Sequence, residues 1–351
     1  MDKDKVRVFA DKVYADTAGA MTAGMAYVGT KMGLFRAMAG KGAMHIEEVA
    51  ETAGLQRRYV EEWLKGMASA GYLHYQPDAQ TFALPEEHAY LLASEGSDHF
   101  MGGLFLFTPV LLSVAPKVAQ AFQQGGGVTL NDLGPEGVEA LDWLNCGQYE
   151  RRFASLWLNA LPDVVERLQR GGRVLDVGCG AGRVSTAIAK AFPKAEVIGL
   201  DPDANSVARA RDLAASTGAG PNLSFAVQTT RDLPANGGFD LIIACDCVHD
   251  FAAPQATLRE ILALLKPDGT LFVMEPKAAD RLEDNKNALG ILYYGFSIFH
   301  CMTQSLAHGG PGLGTCLGPA RTENLIREAG FSHFERLDIR SATNLFYAAR
   351  P

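Results

Sequence analysis

Val174-Leu175-Asp176-Val177-Gly178-Cys179-Gly180-Ala181-Gly182 is the stretch that decides the fold. An apolar run carrying a single carboxyl group reads as a buried strand, and three glycines at alternate positions turn it into a helix. A glycine turn between a first strand and a first helix is where doubly wound α/β sheets bind nucleotide-like ligands. Gly178 and Gly180 lack the Cβ that would hold a ligand away from the backbone. A dinucleotide site calls for G-x-G-x-x-G, with pyrophosphate on the helix N-terminus. The sixth position counted from Gly178 is Arg183, so that pattern fails. What stands here is an acidic residue two before G-x-G-x-G.

Outward from this turn, strands and helices alternate from Gly171 to the end, an α/β rhythm. The strand Arg173–Val177 is followed by a helix over Val184–Phe192, then by a strand Glu196–Leu200 that closes on Asp201-Pro202. A helix runs from Ser206 to Gly218, and strands follow at Leu223–Val227 and Phe239–Cys245. The helix carrying Leu258, Ile261, Leu262 and Leu265 stops at Lys266-Pro267-Asp268-Gly269, ahead of a strand Thr270–Met274. An insertion over 276–320 precedes the helix Glu323–Gly330 and a last pair of strands, Phe331–Leu337 and Asn344–Ala349.

Over 170–275 this order resembles the class I S-adenosylmethionine-dependent methyltransferases, whose Rossmann-like sheet has seven strands. The features that carry the resemblance are the acidic glycine turn, Asp201 closing the second strand, Leu233-Pro234, Phe239-Asp240 and Lys266-Pro267-Asp268-Gly269. The resemblance implies S-adenosyl-L-methionine as cofactor, with no metal. Asp176 then faces the methionine ammonium end, Gly178 and Gly180 make room, and Asp201 takes both ribose hydroxyls. The adenine contact falls to Thr229 and Thr230, where the family usually has an acidic side chain. The chemistry is coherent, because a sulfonium attached to an α-amino acid offers positive charge to carboxylates and needs no phosphate cradle.

The acceptor belongs beyond the carboxyl ends of the strands. The fourth strand ends Cys245-Asp246-Cys247-Val248-His249-Asp250, and a His-Asp pair here recurs in small-molecule methyltransferases with a winged-helix N-terminal domain. Cys245 joins the cofactor-contacting set, and Asp246, His249 and His300 are the catalytic candidates. A hydroxyl or thiol acceptor loses a proton, so His249 or His300 serves as base. A thioether needs only positioning and negative or π-rich groups around the developing charge. Asp246, Tyr293, Tyr294 and Phe296 suit the second demand, although Tyr293 and Phe296 at i,i+3 fit helical packing equally. Tyr149, Arg151 and Arg152 lie on a helix expected to cover the site. Their guanidinium groups either clamp a substrate carboxylate or pair with Glu150 and Asp163. In size and architecture the chain is similar to the bacterial methylthiohydroxybutyrate S-methyltransferases, which implies S-methylation of a carboxylated thioether. The alternative is O- or N-methylation of a small aromatic metabolite with His249 as base.

The first hundred residues read differently. Ile46–Ala50 opens a helix closed by Gly54, Arg57–Ala70 forms a second, and Gly71–Tyr75 with Thr81–Leu84 make a wing around Pro77-Asp78. Helix, turn, helix, wing is a winged-helix arrangement, preceded by a helix over Tyr14–Met38. Through residue 100 there are ten Lys/Arg against fourteen Asp/Glu. DNA is held mainly by phosphate neutralisation, so this acidic face disfavours a nucleic-acid partner and a winged-helix regulator. A dimerisation and lid module at 1–100, a helical linker at 101–165 and a cofactor domain at 166–351 are the expected divisions, with a homodimer the expected assembly.

The whole chain has 351 residues, 48% hydrophobic and 21% charged, with a net charge of −8. That composition suits folded domains and excludes disorder. No run approaches the roughly 18 apolar residues of a membrane helix, and the N-terminus lacks a secretory pattern, so a cytoplasmic protein with no membrane partner is expected. The six cysteines form no CxxC pair.

Overall fold

The computed structural model describes residues 1–235 and 238–351. It falls into two compact units, one of Met1–Val110 with Trp143–Gly147, the other of Leu111–Asp142 with Gln148–Pro351. The stretch 101–165 is thus divided between them and forms no segment of its own.

In the first unit a helix spans Lys3–Lys31, and a short one, Leu34–Met38, follows. The single helix expected over Tyr14–Met38 is broken at Gly33, which sits at φ +70°. Helices Ile46–Ala53 and Arg57–Ser69 come next, the first closed by Gly54 in the left-handed conformation. Strands β1 (His74–Gln76) and β2 (Thr81–Ala83) pair antiparallel as the wing, shorter than expected. Val60, Trp63, Leu64 and Met67 share one helical face and are buried against Phe35, Met38 and Val49. The Trp63 indole N–H donates to the Met25 carbonyl at 2.8 Å, so the ring is both packed and satisfied. The outer turns of Lys3–Lys31 leave Val6, Val8, Phe9, Val13 and Met21 exposed.

The second unit is built on a seven-stranded sheet. Its strands are β3 (Arg173–Val177), β4 (Glu196–Asp201), β5 (Leu223–Val227), β6 (Phe239–Cys245), β7 (Leu265–Pro276), β8 (His333–Arg336) and β9 (Asn344–Arg350). They stand in the order β5-β4-β3-β6-β7-β9-β8. The pairs from β5 through β7 are parallel, and β9 runs antiparallel to both β7 and β8. The chain order reverses between β3 and β6, which makes their carboxyl ends the switch point of the sheet. Lys266-Pro267-Asp268-Gly269 lies inside β7, with a register shift opposite Phe239–Leu241, so the strand begins earlier than its apolar run suggested.

Alternate residues on each strand feed two cores. Val174, Leu241, Ile243, Phe272 and Phe346 pack with Phe153, Trp157 and Ile188 on one face. Leu175, Ile242, Ala244, Val273 and Tyr347 pack with Leu258, Ile261 and Ile326 on the other. Both faces are covered, which is why the parallel strands read as continuous apolar runs. The insertion folds into Ala288–Phe296, a π-helical turn Ser297–Cys301 and Met302–Ala307. Among the described residues no single helix is long and apolar enough to cross a membrane.

Two glycines of left-handed backbone separate conformational from steric demand. Gly218 sits at φ +66° with nothing within 4 Å of an added Cβ, whereas at Gly182 (φ +75°) that atom would lie 2.6 Å from Phe225 Cζ. Gly218→Ala is expected to cost about 1–2 kcal/mol from backbone strain. Gly182→Ala should add roughly 1–3 kcal/mol of overpacking to that. Urea unfolding of the two variants checks this, and equal losses would show that Phe225 yields without cost.

Candidate active site

Four carboxyl groups stand at the carboxyl ends of neighbouring strands: Asp176 on β3, Asp201 on β4, Asp246 just after β6 and Glu275 on β7. Apolar residues in the middle of each strand bury it in the sheet and leave these carboxyl groups at its end. Asp176 is buried and accepts a 2.5 Å hydrogen bond from the Ser185 hydroxyl. Burial pushes its carboxyl up to about 7, against the lowering effect of Ser185. Asp201 accepts from the Gly180 N–H at 3.0 Å and from the Asp203 N–H at 2.8 Å. Burial raises it too, with both backbone bonds opposing. The Gly180 contact ties the glycine turn to the neighbouring strand.

Gly178 and Gly180 both have positive φ, +69° and +51°. A Cβ at Gly178 would meet the Cys247 side chain at 3.2 Å, whereas at Gly180 it would meet nothing within 4 Å. Gly180 is therefore where the turn presents open backbone. Its neighbour Cys179 packs with Val207, Ala210 and Phe225, closing the hydrophobic side.

The expected adenine residues are locally committed. The Thr229 N–H and hydroxyl both bond the Asp232 carboxylate in a capping box, at 2.8 and 3.0 Å. Thr230 is buried, and its hydroxyl donates to Glu260 at 2.6 Å. Cys245 ends β6, with burial raising its thiol well above the ordinary range. Cys247 lies two residues on, its thiol 3.3 Å from the Val177 carbonyl, and none of the six cysteines is in a disulfide.

The end of β6 is the most constrained part of the site. Asp246 has φ +49°, a left-handed backbone unusual for a residue with a side chain, and both its oxygens are engaged. Tyr149 donates its hydroxyl to one at 2.8 Å, and Asn344 donates its amide to the other at 2.8 Å. Burial and then the nearby Glu275 push Asp246 up to about 7. His249 follows in a tight turn, Val248–Asp250. Its closer partner is Glu275, 2.5 Å from Nδ1, while Asp250 lies 3.5 Å from Nε2. His249 and Glu275 are each only 2% exposed. Burial alone would lower the imidazole, but the two carboxylates overcome it and hold His249 well above its ordinary value. His249, Asp250 and Cys301 each offer a possible metal-donor atom, all within 4.8 Å of one another.

His300 lies buried in the π-helical turn, where burial lowers its imidazole. Tyr293 is buried and gives its hydroxyl to the Thr343 carbonyl, with its ring 6.5 Å from Phe296 in a tilted pair. Its phenol is raised by burial and, next, by the charge of Asp246. Tyr294 is the more open of the two tyrosines, 39% exposed. Glu150 is bound by Arg183, and Asp163 by Arg167 and Arg350. Arg151 lies exposed and Arg152 half-buried.

Sequence reasoning missed Glu275 and Asn344. Glu275 had a readable signal, a carboxyl at the end of an apolar strand, as at Asp176. Asn344 is brought in by the antiparallel β9, and nothing local marks it.

With this geometry in place, comparison with known proteins gives a consistent result. Residues 168–308 match a family model described as a methyltransferase domain, and residues 20–94 match an Rv2258c-like winged HTH domain. The ubiquinone biosynthesis O-methyltransferase of Xanthomonas campestris pv. campestris is 38% identical over 105 residues, which is 29% of this chain and 42% of that protein. The chain thus spans about two fifths of the length of the curated relatives it matches. A putative O-methyltransferase from Nostoc punctiforme superposes with a TM-score of 0.71 at 19% identity, covering 98% of each chain. Human N-acetylserotonin methyltransferase, solved in complex with S-adenosylmethionine, gives 0.66 at 18% identity and 97% of each chain. At such identities the structural likeness is one of fold. Residues 168–308 are thus similar to methyltransferase domains and residues 20–94 to Rv2258c-like winged helix-turn-helix domains, and the chain shares its fold with the solved methyltransferases.

Proposed function

We propose that this chain transfers a methyl group from S-adenosylmethionine to a hydroxyl of a small organic acceptor, with His249 taking up the proton. The observation that carries the reading is the buried Glu275–His249 dyad at the end of β6, the strand beside the glycine turn. A carboxylate on Nδ1 fixes the ring and stabilises the imidazolium that forms, while Nε2, 3.5 Å from Asp250, takes up the proton. The O-methyltransferase names of the relatives and fold neighbours support the same reaction class.

The residues present suit the cofactor. Gly180 offers open backbone, and Asp201 ends β4 with lone pairs beyond those given to Gly180 and Asp203. Asp176 supplies a carboxyl that gains most from a neighbouring cation, because burial has raised it. When bound, S-adenosylmethionine supplies a methyl group activated by its sulfonium. The chain's part is to hold the acceptor oxygen about 3–3.5 Å from that carbon, in line and away from water. Asp246 is locked by Tyr149 and Asn344, so it keeps a fixed negative or hydrogen-bonding wall beside this point.

A carboxylated thioether such as 4-methylthio-2-hydroxybutyrate would use Asp246 but give the Glu275–His249 dyad no proton to move. The hydroxyl reading gives both groups a task.

Two measurements test this. Asp201→Ala should weaken binding of S-adenosylhomocysteine at least about tenfold by calorimetry, since hydrogen bonds to a charged group are worth roughly 1.5–3 kcal/mol each. Unchanged binding would remove Asp201 from the ribose. With a hydroxyl acceptor found by product mass spectrometry, His249→Ala should lower kcat about 10²- to 10⁴-fold. In the intact protein kcat/KM should keep rising with pH beyond the ordinary histidine range, because His249 must lose its proton first and Glu275 and Asp250 resist that loss. Glu275→Gln removes one negative charge, so the rising limb should move to lower pH while the plateau falls. Full turnover by His249→Ala would sink the general-base role and favour the thioether.

A further inference from the structure

Arg183 enters the sequence as the residue that spoils a dinucleotide pattern, and nothing in the methyl-transfer scheme uses it. Its surroundings are nonetheless the most elaborate charge cluster in the second unit. It is the first residue of the helix Arg183–Ala191, directly after Gly182 of the glycine turn. Its guanidinium grips Asp142 with both arms of its fork, Nε to Oδ1 and Nη2 to Oδ2, each at 2.7 Å. Its remaining nitrogen reaches Glu150. Arg209 adds a second guanidinium to Asp142 at 3.0 Å. The Asp142 side chain is 1% exposed and that of Arg183 18%, while Glu150 and Arg209, each 34% exposed, close the cluster toward solvent.

Asp142 and Glu150 lie on the helix Pro135–Arg152, which also carries Tyr149. Asp142 and Tyr149 are seven residues apart, two helical turns, and so share a face. One helix is therefore tied at two points: to the glycine turn through Arg183, and to the carboxyl end of β6 through Tyr149 and Asp246. Bidentate guanidinium–carboxylate pairs fix geometry as well as charge, so a displacement of the turn is passed to the helix without slack.

Resting on the methyltransferase reading above, we infer that Arg183 is a positioning residue: it couples occupation of the glycine turn to the placement of Tyr149 against Asp246. The cofactor end and the acceptor end of the site then communicate through one strap helix, and the strap is set when the turn is filled. Arg183 touches neither reactant in this account. Its removal leaves Arg209 to neutralise Asp142, so the fold survives while the link to the turn is lost.

The test is hydrogen exchange by mass spectrometry across residues 135–152, with and without S-adenosylhomocysteine. Saturating ligand should slow exchange there roughly tenfold or more in the unaltered protein. In Arg183→Met that protection should vanish although the ligand still binds within about threefold by calorimetry. Arg183→Lys keeps the charge without the fork and should restore protection only in part, and Asp142→Asn should reproduce the loss from the helix side. A purely structural role would lower exchange protection equally with and without ligand, and that result overturns the inference. So does unchanged ligand-induced protection in both Arg183→Met and Asp142→Asn. Absence of any S-adenosylhomocysteine binding to the unaltered protein would instead sink the methyltransferase reading, and this coupling with it.

Discussion

Four carboxyl groups collected at the ends of four neighbouring strands are the constraint on which the second unit depends. Asp176, Asp201, Asp246 and Glu275 sit where apolar strands give out, and burial of a carboxylate is costly unless something answers its charge. The sheet cannot move them apart, because their positions follow from parallel register around the switch point. The protein must either protonate them, hydrogen-bond them or bring a cation.

It does the first two in part. Asp176 and Asp246 are pushed up to about 7 by burial, and each is given donors: Ser185 for one, Tyr149 and Asn344 for the other. Glu275 is answered by His249, and Asp201 by backbone N–H groups of the turn and of Asp203. What remains is an appetite for positive charge at the mouth of the sheet. A sulfonium carried on an amino acid meets that demand, and a dinucleotide with its pyrophosphate does not. The choice between the two ligands rests on charge sign more than on glycine spacing.

Much of this was legible in the chain. The turn at Gly178–Gly182, Asp176, Asp201 and the strand order could be read because each is encoded in a few adjacent residues: apolar runs, then a carboxyl, then glycine or proline. The winged-helix region was equally local; there the wing strands are shorter than read, and the helix read through Gly33 breaks at that left-handed glycine. What could not be read is what the fold assembles from afar. Asn344 reaches Asp246 only because β9 runs back beside β7. Glu275 sat at the edge of an apparent insertion, although its place at a strand end carried the same signal as Asp176. Nothing in the sequence around Asp142 marks it as the partner of Arg183 and Arg209, 41 and 67 residues away. Tyr293, which the aromatic run made a pocket candidate, is fixed by a bond to the distant Thr343 carbonyl that no local signal announces.

The most direct measurement is the affinity of S-adenosylmethionine between pH 6 and 8. If buried carboxyls poised near 7 receive its positive charge, ionisation of one such group strengthens binding by up to about tenfold across this range. Asp176→Asn should flatten the dependence. Affinity that is flat with pH in the unaltered protein, or binding of a nicotinamide dinucleotide in its place, contradicts the account.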